Sequence, residues 1–261
     1  MFAEERIRKI KEILIEYEHV DINTLSSLLN ASVTTVRRDL DRLENEGFLK
    51  KAHGGAILIK DMAPDIHSYG GNVEHVREKK LIAELAARYV DDNDVIFLGS
   101  GHIPNLIARE LGQKKNLQVV TDNLQAAFEL SVFPGVKVYA AGGEVEALSD
   151  SVIFRGSIVE EQVSRFFFKK AFLSFTGASL RYGYTHDISS EIPVIRNVLE
   201  HTADSVAVMD FSRFDAMGFR PVCGLDEIST VITNVNIPDD YKEYYLSHGI
   251  RIFTGIEDVK I

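Results

Sequence analysis

Between residues 95 and 254 the chain repeats one pattern seven times. A run of five or six β-rich residues recurs, and a longer stretch separates it from the next: VIFLG (95–99), LQVVT (117–121), VKVYAA (136–141), KAFLSF (170–175), SVAVMD (205–210), STVIT (229–233) and IRIFT (250–254). The runs are mostly apolar throughout rather than alternating. A strand apolar on both sides must be covered on both faces, as in a parallel sheet flanked by helices. The pattern therefore predicts an α/β domain over residues 77–261, and the 261-residue length leaves room for one small domain beside it.

That small domain is predicted over residues 1–59, with a polar, Gly- and Pro-containing linker at 60–76. Ile7, Ile10, Leu14 and Tyr17 recur at helical spacing, and Asp21 or Asn23 can cap a short helix carrying Leu25, Leu28 and Leu29. The turn Asn30-Ala31-Ser32 then offers Ser32 as cap of a third helix. That helix puts Val33, Val36, Leu40 and Leu43 on one face and Thr34, Thr35, Arg37, Arg38 and Asp41 on the other, and Gly47 ends it. Residues 48–59 read as two strands around a turn at His53-Gly54-Gly55.

Two helices, a tight turn, a third helix with paired arginines and a hairpin make a winged helix-turn-helix. An amphipathic helix about 10–12 Å across fits the major groove, with its apolar stripe on the other helices and its first turns at base edges. Adjacent arginines stand about 100° apart on a helix, so one can reach a guanine edge while the other grips phosphate. The DNA-binding set is then Ser32, Thr34, Thr35, Arg37, Arg38, Lys50, Lys51 and His53. An isolated arginine pair is more simply a solvated face salt-bridged to Asp39 or Asp41; the capped turn and basic hairpin together favour the groove reader.

Net charge does not oppose it. The formal charge of −10 falls on residues 61–261, while residues 1–60 balance at zero. No apolar run approaches the roughly 18–20 residues of a membrane helix, and the amphipathic start is unlike a signal peptide, so a cytoplasmic protein without a membrane partner is expected. A single cysteine, Cys223, allows no internal disulfide or multi-cysteine zinc site. No histidines sit at i, i+4 in a ligand set, and neither metal nor cofactor is expected.

In open α/β sheets ligands gather where strands end, because free amides and helix dipoles converge there. The predicted ends are rich in small polar residues: Ser100, Gly101 and His102; Thr121, Asp122 and Asn123; Gly142, Gly143 and Glu144; Gly177 and Ser179; then Asp210 and Arg213. An isomerase on such a sheet would need a base and an acid, for which Glu144, Asp122, Asp210 and Lys80 are candidates. No spacing sets their geometry, and no catalytic residue is assigned.

Residues 28–56 resemble the signature of DeoR-family bacterial transcription regulators: Ala31-Ser32, Thr35, Val36, Arg37-Arg38-Asp39-Leu40, Leu43-Glu44, Gly47 and His53-Gly54-Gly55-Ala56 fall in register. From Lys80 to about Asn234 the chain is similar to that family's effector domain, through Lys80, Ser100-Gly101, Thr121, Asn123, Gly142-Gly143, Gly156, Ala171-Phe172, Gly177, Gly183, Thr185, Asp210, Ser212 and Phe214. Two motifs depart from it. Gly99-Ser100-Gly101-His102-Ile103 stands where the family has Asp-Ser-Gly-Thr-Thr, and Ser212-Arg213-Phe214 where it has Ser-Lys-Phe.

The resemblance implies a winged helix-turn-helix that binds operator DNA as a homodimer or homotetramer. It also implies a sheet like that of ribose-5-phosphate isomerases, used to sense a sugar or sugar phosphate. The effector set is Lys80 with the strand-end residues above, and the expected function is regulation, as a repressor, of a carbohydrate catabolic operon. A sugar-phosphate isomerase-like enzyme is the alternative.

Overall fold

The computed structural model of the chain describes residues 6–7, 9–11, 13–14, 19–45, 48–52, 54–58, 75–148 and 150–255. The chain divides into two units, Met1–Ser68 and Tyr69–Ile261. Tyr17, Gly47, His53 and nearly all of the expected 60–76 linker lie outside the described residues.

In the first unit the described residues between 6 and 14 are helical. Next come β1 (His19–Asp21), α1 (Ile22–Leu28), α2 (Val33–Asn45), β2 (Leu49–Ala52) and β3 (Gly55–Leu58). Asp21 caps α1, accepting from the N–H groups of Asn23 (3.0 Å) and Thr24 (2.9 Å). Ile7, Ile10, Leu14, Leu25, Leu29, Val36, Leu40, Leu43 and Leu49 close one apolar core. Leu28, expected to share it, is exposed. The wing has a strand more than the hairpin predicted from sequence: β1 pairs antiparallel with β3, which pairs with β2. Gly55 makes that pairing possible, since a Cβ there would lie 2.2 Å from the Val20 carbonyl oxygen.

The second unit is built on a seven-stranded sheet, and all seven predicted runs enter it. After α3 (Val76–Tyr89) come β4 (Val95–Leu98), α4 (His102–Glu110), β5 (Leu117–Thr121), α5 (Leu124–Ser131) and β6 (Val136–Ala140). Then follow β7 (Glu144–Ala147), β8 (Val152–Arg155), α6 (Ser157–Val163), β9 (Phe168–Leu173), β10 (Gly177–Ser179), β11 (Gly183–His186) and α7 (Ile192–Glu200). The rest are β12 (Thr202–Val208), β13 (Arg220–Cys223), β14 (Thr230–Ile232), α8 (Asp239–Ser247) and β15 (Arg251–Phe253).

The large sheet has the order β15-β14-β12-β9-β4-β5-β6, and every pairing in it is parallel. Alternate residues of each strand face opposite cores, as in β4. Phe97 joins a cluster with Val163, Val198 and Tyr241 from the helices on one side. Ile96 and Leu98 join Ile82, Ile107 and Ala126 on the other. This is the two-sided burial that the continuous apolar runs require. Outside the sheet stand two antiparallel additions, the β7–β8 hairpin and the β10-β11-β13 sheet.

Each unit has its own core, so a cavity in one should be felt there. Leu40→Ala, at a residue 1% exposed, is expected to cost the N-terminal unit about 2–5 kcal/mol. Urea unfolding followed by circular dichroism checks this, and a loss under about 1 kcal/mol would contradict the packing of α2.

Candidate nucleic-acid interface and effector site

The start of α2 is fixed by Ser32, whose Oγ accepts from the Thr35 N–H (3.2 Å) and lies 2.9 Å from Thr35 Oγ1. Both hydroxyls are thereby tied to the helix end, while Thr34 faces solvent. Val36, Leu40 and Leu43 face the core, which turns Arg37 and Arg38 outward, both exposed. The acids that might neutralise them are engaged elsewhere. Asp39 is buried against Arg6, whose Nε donates at 2.8 Å, and Asp41 pairs with Lys51. Among the described residues Arg37 and Arg38 have no acidic partner.

The basic wing divides into two roles. Lys50 is exposed on β2. Lys51 instead binds Asp41 and lies 3.4 Å from Glu44, while its backbone N–H donates to Glu44 at 2.8 Å. It straps the wing to α2 rather than standing free for DNA.

In the second unit the strand order reverses between β4 and β9. β5 and β6 lie on one side of β4, whereas β9, β12, β14 and β15 lie on the other. Connections leave the carboxyl ends of β4 and β9 in opposite directions, the arrangement at which open α/β sheets place their ligand sites. The Gly99 N–H donates to the Phe172 carbonyl (3.0 Å) at that point. Gly101, with φ +104°, then turns the chain into α4 in a conformation that favours glycine.

The residues around these strand ends form two groups. In the first, Lys79, buried on α3, lies 3.7 Å from Asp210, which is 1% exposed. Asp210 also caps the turn after β12, accepting from the Ser212 N–H at 3.0 Å. Burial holds the Lys79 ammonium below its ordinary pKa, Asp210 opposes that, and Arg213 adds to it. Arg213 is half-buried and, among the described residues, has no acidic partner. His102 opens α4; burial, then Lys79, pulls its pKa down to about 4, so the ring is neutral.

The second consists of two buried acids. Glu191, immediately before α7, is 2% exposed and accepts a hydrogen bond from the Ser100 hydroxyl. Its Oε2 lies 3.1 Å from His186 Nε2, out of line for a hydrogen bond. Asp122, at the end of β5, is 4% exposed, and its Oδ1 has no partner among the described residues. Burial raises the Asp122 carboxyl to about 7. Burial, then the neighbouring Asp122, raises Glu191 to about 8. The β7–β8 hairpin adds Asp150 and Glu146 to the same field.

Several expected effector residues serve the scaffold instead. Thr121, fully buried, donates to the Leu98 carbonyl at 2.5 Å and accepts from the Asn123 N–H at 3.0 Å. Asn123 caps α5 through the Ala126 N–H and donates to Asn105 at 2.7 Å. The Gly142 N–H donates to Gln162 (3.0 Å), and Gly143 lies against Arg155 and Val159. Glu144 is exposed and paired with Arg155 at 2.8 Å, outside the buried acids, which removes it as a base. Gly177 packs against the Ala216 backbone, and the Ser179 hydroxyl closes the β10–β11 turn. Lys80 is exposed on α3, and Lys79 is the lysine that reaches Asp210. Sequence reasoning also passed over Glu191, His186 and Asp150.

Two sequence patterns of known proteins match the chain. The sequence pattern described as a DeoR-like helix-turn-helix domain matches residues 6–62. That described as the DeoR C-terminal sensor domain matches residues 74–235, more than half of the chain. The chain is similar to the uncharacterized HTH-type transcriptional regulator YulB of Bacillus subtilis, 30% identical with 90% of each chain covered. It is 29% identical to the HTH-type transcriptional repressor GlcR of the same organism, covering 90% of this chain and 89% of the relative. Among solved structures, a ribose 5-phosphate isomerase from Plasmodium falciparum matches at 12% identity and TM-score 0.38 over 52% of each chain.

The raised Glu191 carboxyl has a consequence for stability. Folding takes up a proton at any pH between its ordinary value of 4.5 and about 8. Its contribution is therefore most favourable below 4.5 and is lost as pH rises through 8. Glu191→Gln, which cannot ionise, is expected to gain about 2 kcal/mol relative to the parent between pH 6 and pH 8.5. Parallel stability profiles for the two proteins over that range would contradict the burial of an ionisable group there.

Proposed function

We propose that this chain, which belongs to the DeoR family of helix-turn-helix transcriptional regulators, represses a carbohydrate catabolic operon and is controlled by a sugar phosphate bound between β4 and β9. What carries the DNA half of the reading is the exposed pair Arg37 and Arg38, left without acidic partners among the described residues while Asp39 and Asp41 are occupied. Lys50, exposed on β2, would add phosphate contact, and the amides at the start of α2 would attract phosphate. The repressor direction is supported by the name of a relative, the transcriptional repressor GlcR.

The effector half rests on Lys79, Arg213 and the first turn of α4 as an anion locus, with Ser100, Glu191 and Asp122 as hydroxyl partners. Arg213 can hold a phosphate with two parallel hydrogen bonds. A dimer or tetramer would present its recognition helices about 34 Å apart or at a multiple of that. An effector that changes this spacing needs a coupling of only roughly 1–3 kcal/mol to change operator affinity about 5- to 150-fold.

Two measurements test the reading. Arg37→Ala and Arg38→Ala are each expected to cost about 1–3 kcal/mol in binding to a DNA site selected from a random pool, if both side chains reach bases. Unchanged binding by the double variant would end the assignment of α2. Arg213→Ala is expected to weaken the sugar-phosphate effect on that binding at least about tenfold, the loss of one charge-assisted contact; an undiminished effect removes Arg213 from the site.

A further inference from the structure

The ion pair between the wing and α2 does more than join them, because of where its acid sits on the helix. Asp41 follows Arg37 by four residues and Arg38 by three, the two spacings at which side chains on a helix become neighbours. Arg37, Asp41 and Lys51 also line a single cleft in this unit, together with Leu40 and Ala52. An arginine and an aspartate four apart on an exposed helix face are placed to pair with each other. Here they do not. The Asp41 carboxylate is taken by the Lys51 ammonium, and among the described residues no ion pair joins it to Arg37.

The wing does not depend on that ammonium for its place. The backbone N–H of Lys51 donates to Glu44 at 2.8 Å, and β2 stays paired to β3 from Leu49 opposite Leu58 to Ala52 opposite Gly55. Leu49 is buried in the core that α2 helps to close. None of these contacts uses the Lys51 side chain, so its charge is available for a separate task. Glu44, 3.4 Å from the same ammonium, stands about two turns beyond the arginines, which leaves Asp41 as the acid beside them.

We propose that Lys51 is a positioning residue for DNA binding: by holding Asp41 it keeps that carboxylate off Arg37 and leaves the Arg37 guanidinium free to reach a base edge. The inference rests on the DNA half of the reading above and adds a residue that acts without touching DNA. Without the ammonium, Asp41 would turn to Arg37. Binding DNA would then require breaking that pair and holding an unneutralised carboxylate near phosphates. A lysine that itself gripped phosphate would behave in the opposite way, since removing Asp41 would release it for DNA.

The test measures binding of the full-length chain to a DNA site selected from a random pool, at one fixed salt concentration, in two double-mutant cycles. Each variant is first checked for cooperative unfolding. Lys51→Ala is expected to weaken binding at least about threefold. Lys51→Arg, which keeps a cation on Asp41, is expected to bind within about twofold of the parent. In the Asp41→Asn background Lys51→Ala is expected to cost less than about 1.5-fold, because no carboxylate is left to capture Arg37. In the Arg37→Ala background its cost is expected to fall below about twofold.

No cost from Lys51→Ala overturns the proposal. A cost undiminished in the Asp41→Asn background also overturns it and makes Lys51 a phosphate contact. If Asp41→Asn weakens binding as much as Lys51→Ala and the double variant does not recover, the pair only joins the wing to α2 and the proposal falls. An effect abolished by Asp41→Asn but not by Arg37→Ala overturns the assignment to Arg37. If the parent binds no DNA, or Arg37→Ala and Arg38→Ala together leave binding unchanged, the reading of α2 fails and the role of Lys51 with it.

Discussion

The arrangement of the second unit follows from one constraint: seven strands lie parallel, and their order reverses once. Parallel pairing sends every carboxyl end to the same edge of the sheet. The reversal between β4 and β9 then keeps that edge from being closed by a connecting segment. Ser100, Asp122, Lys79 and Asp210 come from distant parts of the sequence, yet each sits on or beside this edge because the topology leaves nowhere else for those loops and helix ends.

Electrostatics distinguish the acids on this edge. Burying Asp122 and Glu191 without pairing them to a cation raises both carboxyl groups toward neutral pH, whereas Asp210 stands against Lys79. The first unit uses charge differently. There Asp39 and Asp41 are drawn to Arg6 and Lys51, which steadies α2 and its wing and leaves Arg37 and Arg38 facing outward. In both places the placement of acids decides which cations remain for a ligand.

Much of this was legible in the sequence. Strands buried on both faces are written as uninterrupted apolar runs, so VIFLG, LQVVT and the other five could be read directly. The capped turn at Ser32 and the stripe Val36, Leu40 and Leu43 defined α2 in the same way. The β7–β8 hairpin was not legible because Glu144–Ala147 is only four residues long and half acidic, and its Val145 stays exposed. Strand β1 was hidden for a similar reason, being three residues long with only Val20 buried.

The site was harder to read than the fold. Thr121 and Asn123 sit at the right edge but turn inward, and only the hydrogen-bond network reveals that they are consumed there. Lys79 and Lys80 are adjacent, and one position on a helix is a rotation of about 100°. The spacing from Lys79 to Ile82, Ala83 and Ala86 already placed Lys79 on the buried stripe. Glu191 belonged to no motif, and its only sequence signal is an acid directly before the Ile192-Pro193 helix start.

The claim on which the account turns is that small ligands bind at the carboxyl edge between β4 and β9. Amide hydrogen exchange of the full-length chain, with and without a saturating sugar phosphate, tests it most directly. Slowed exchange at residues 99–105 and 210–214 is the outcome the account expects. Protection confined to the outer strands β6 or β15, with those two segments unchanged, would contradict it.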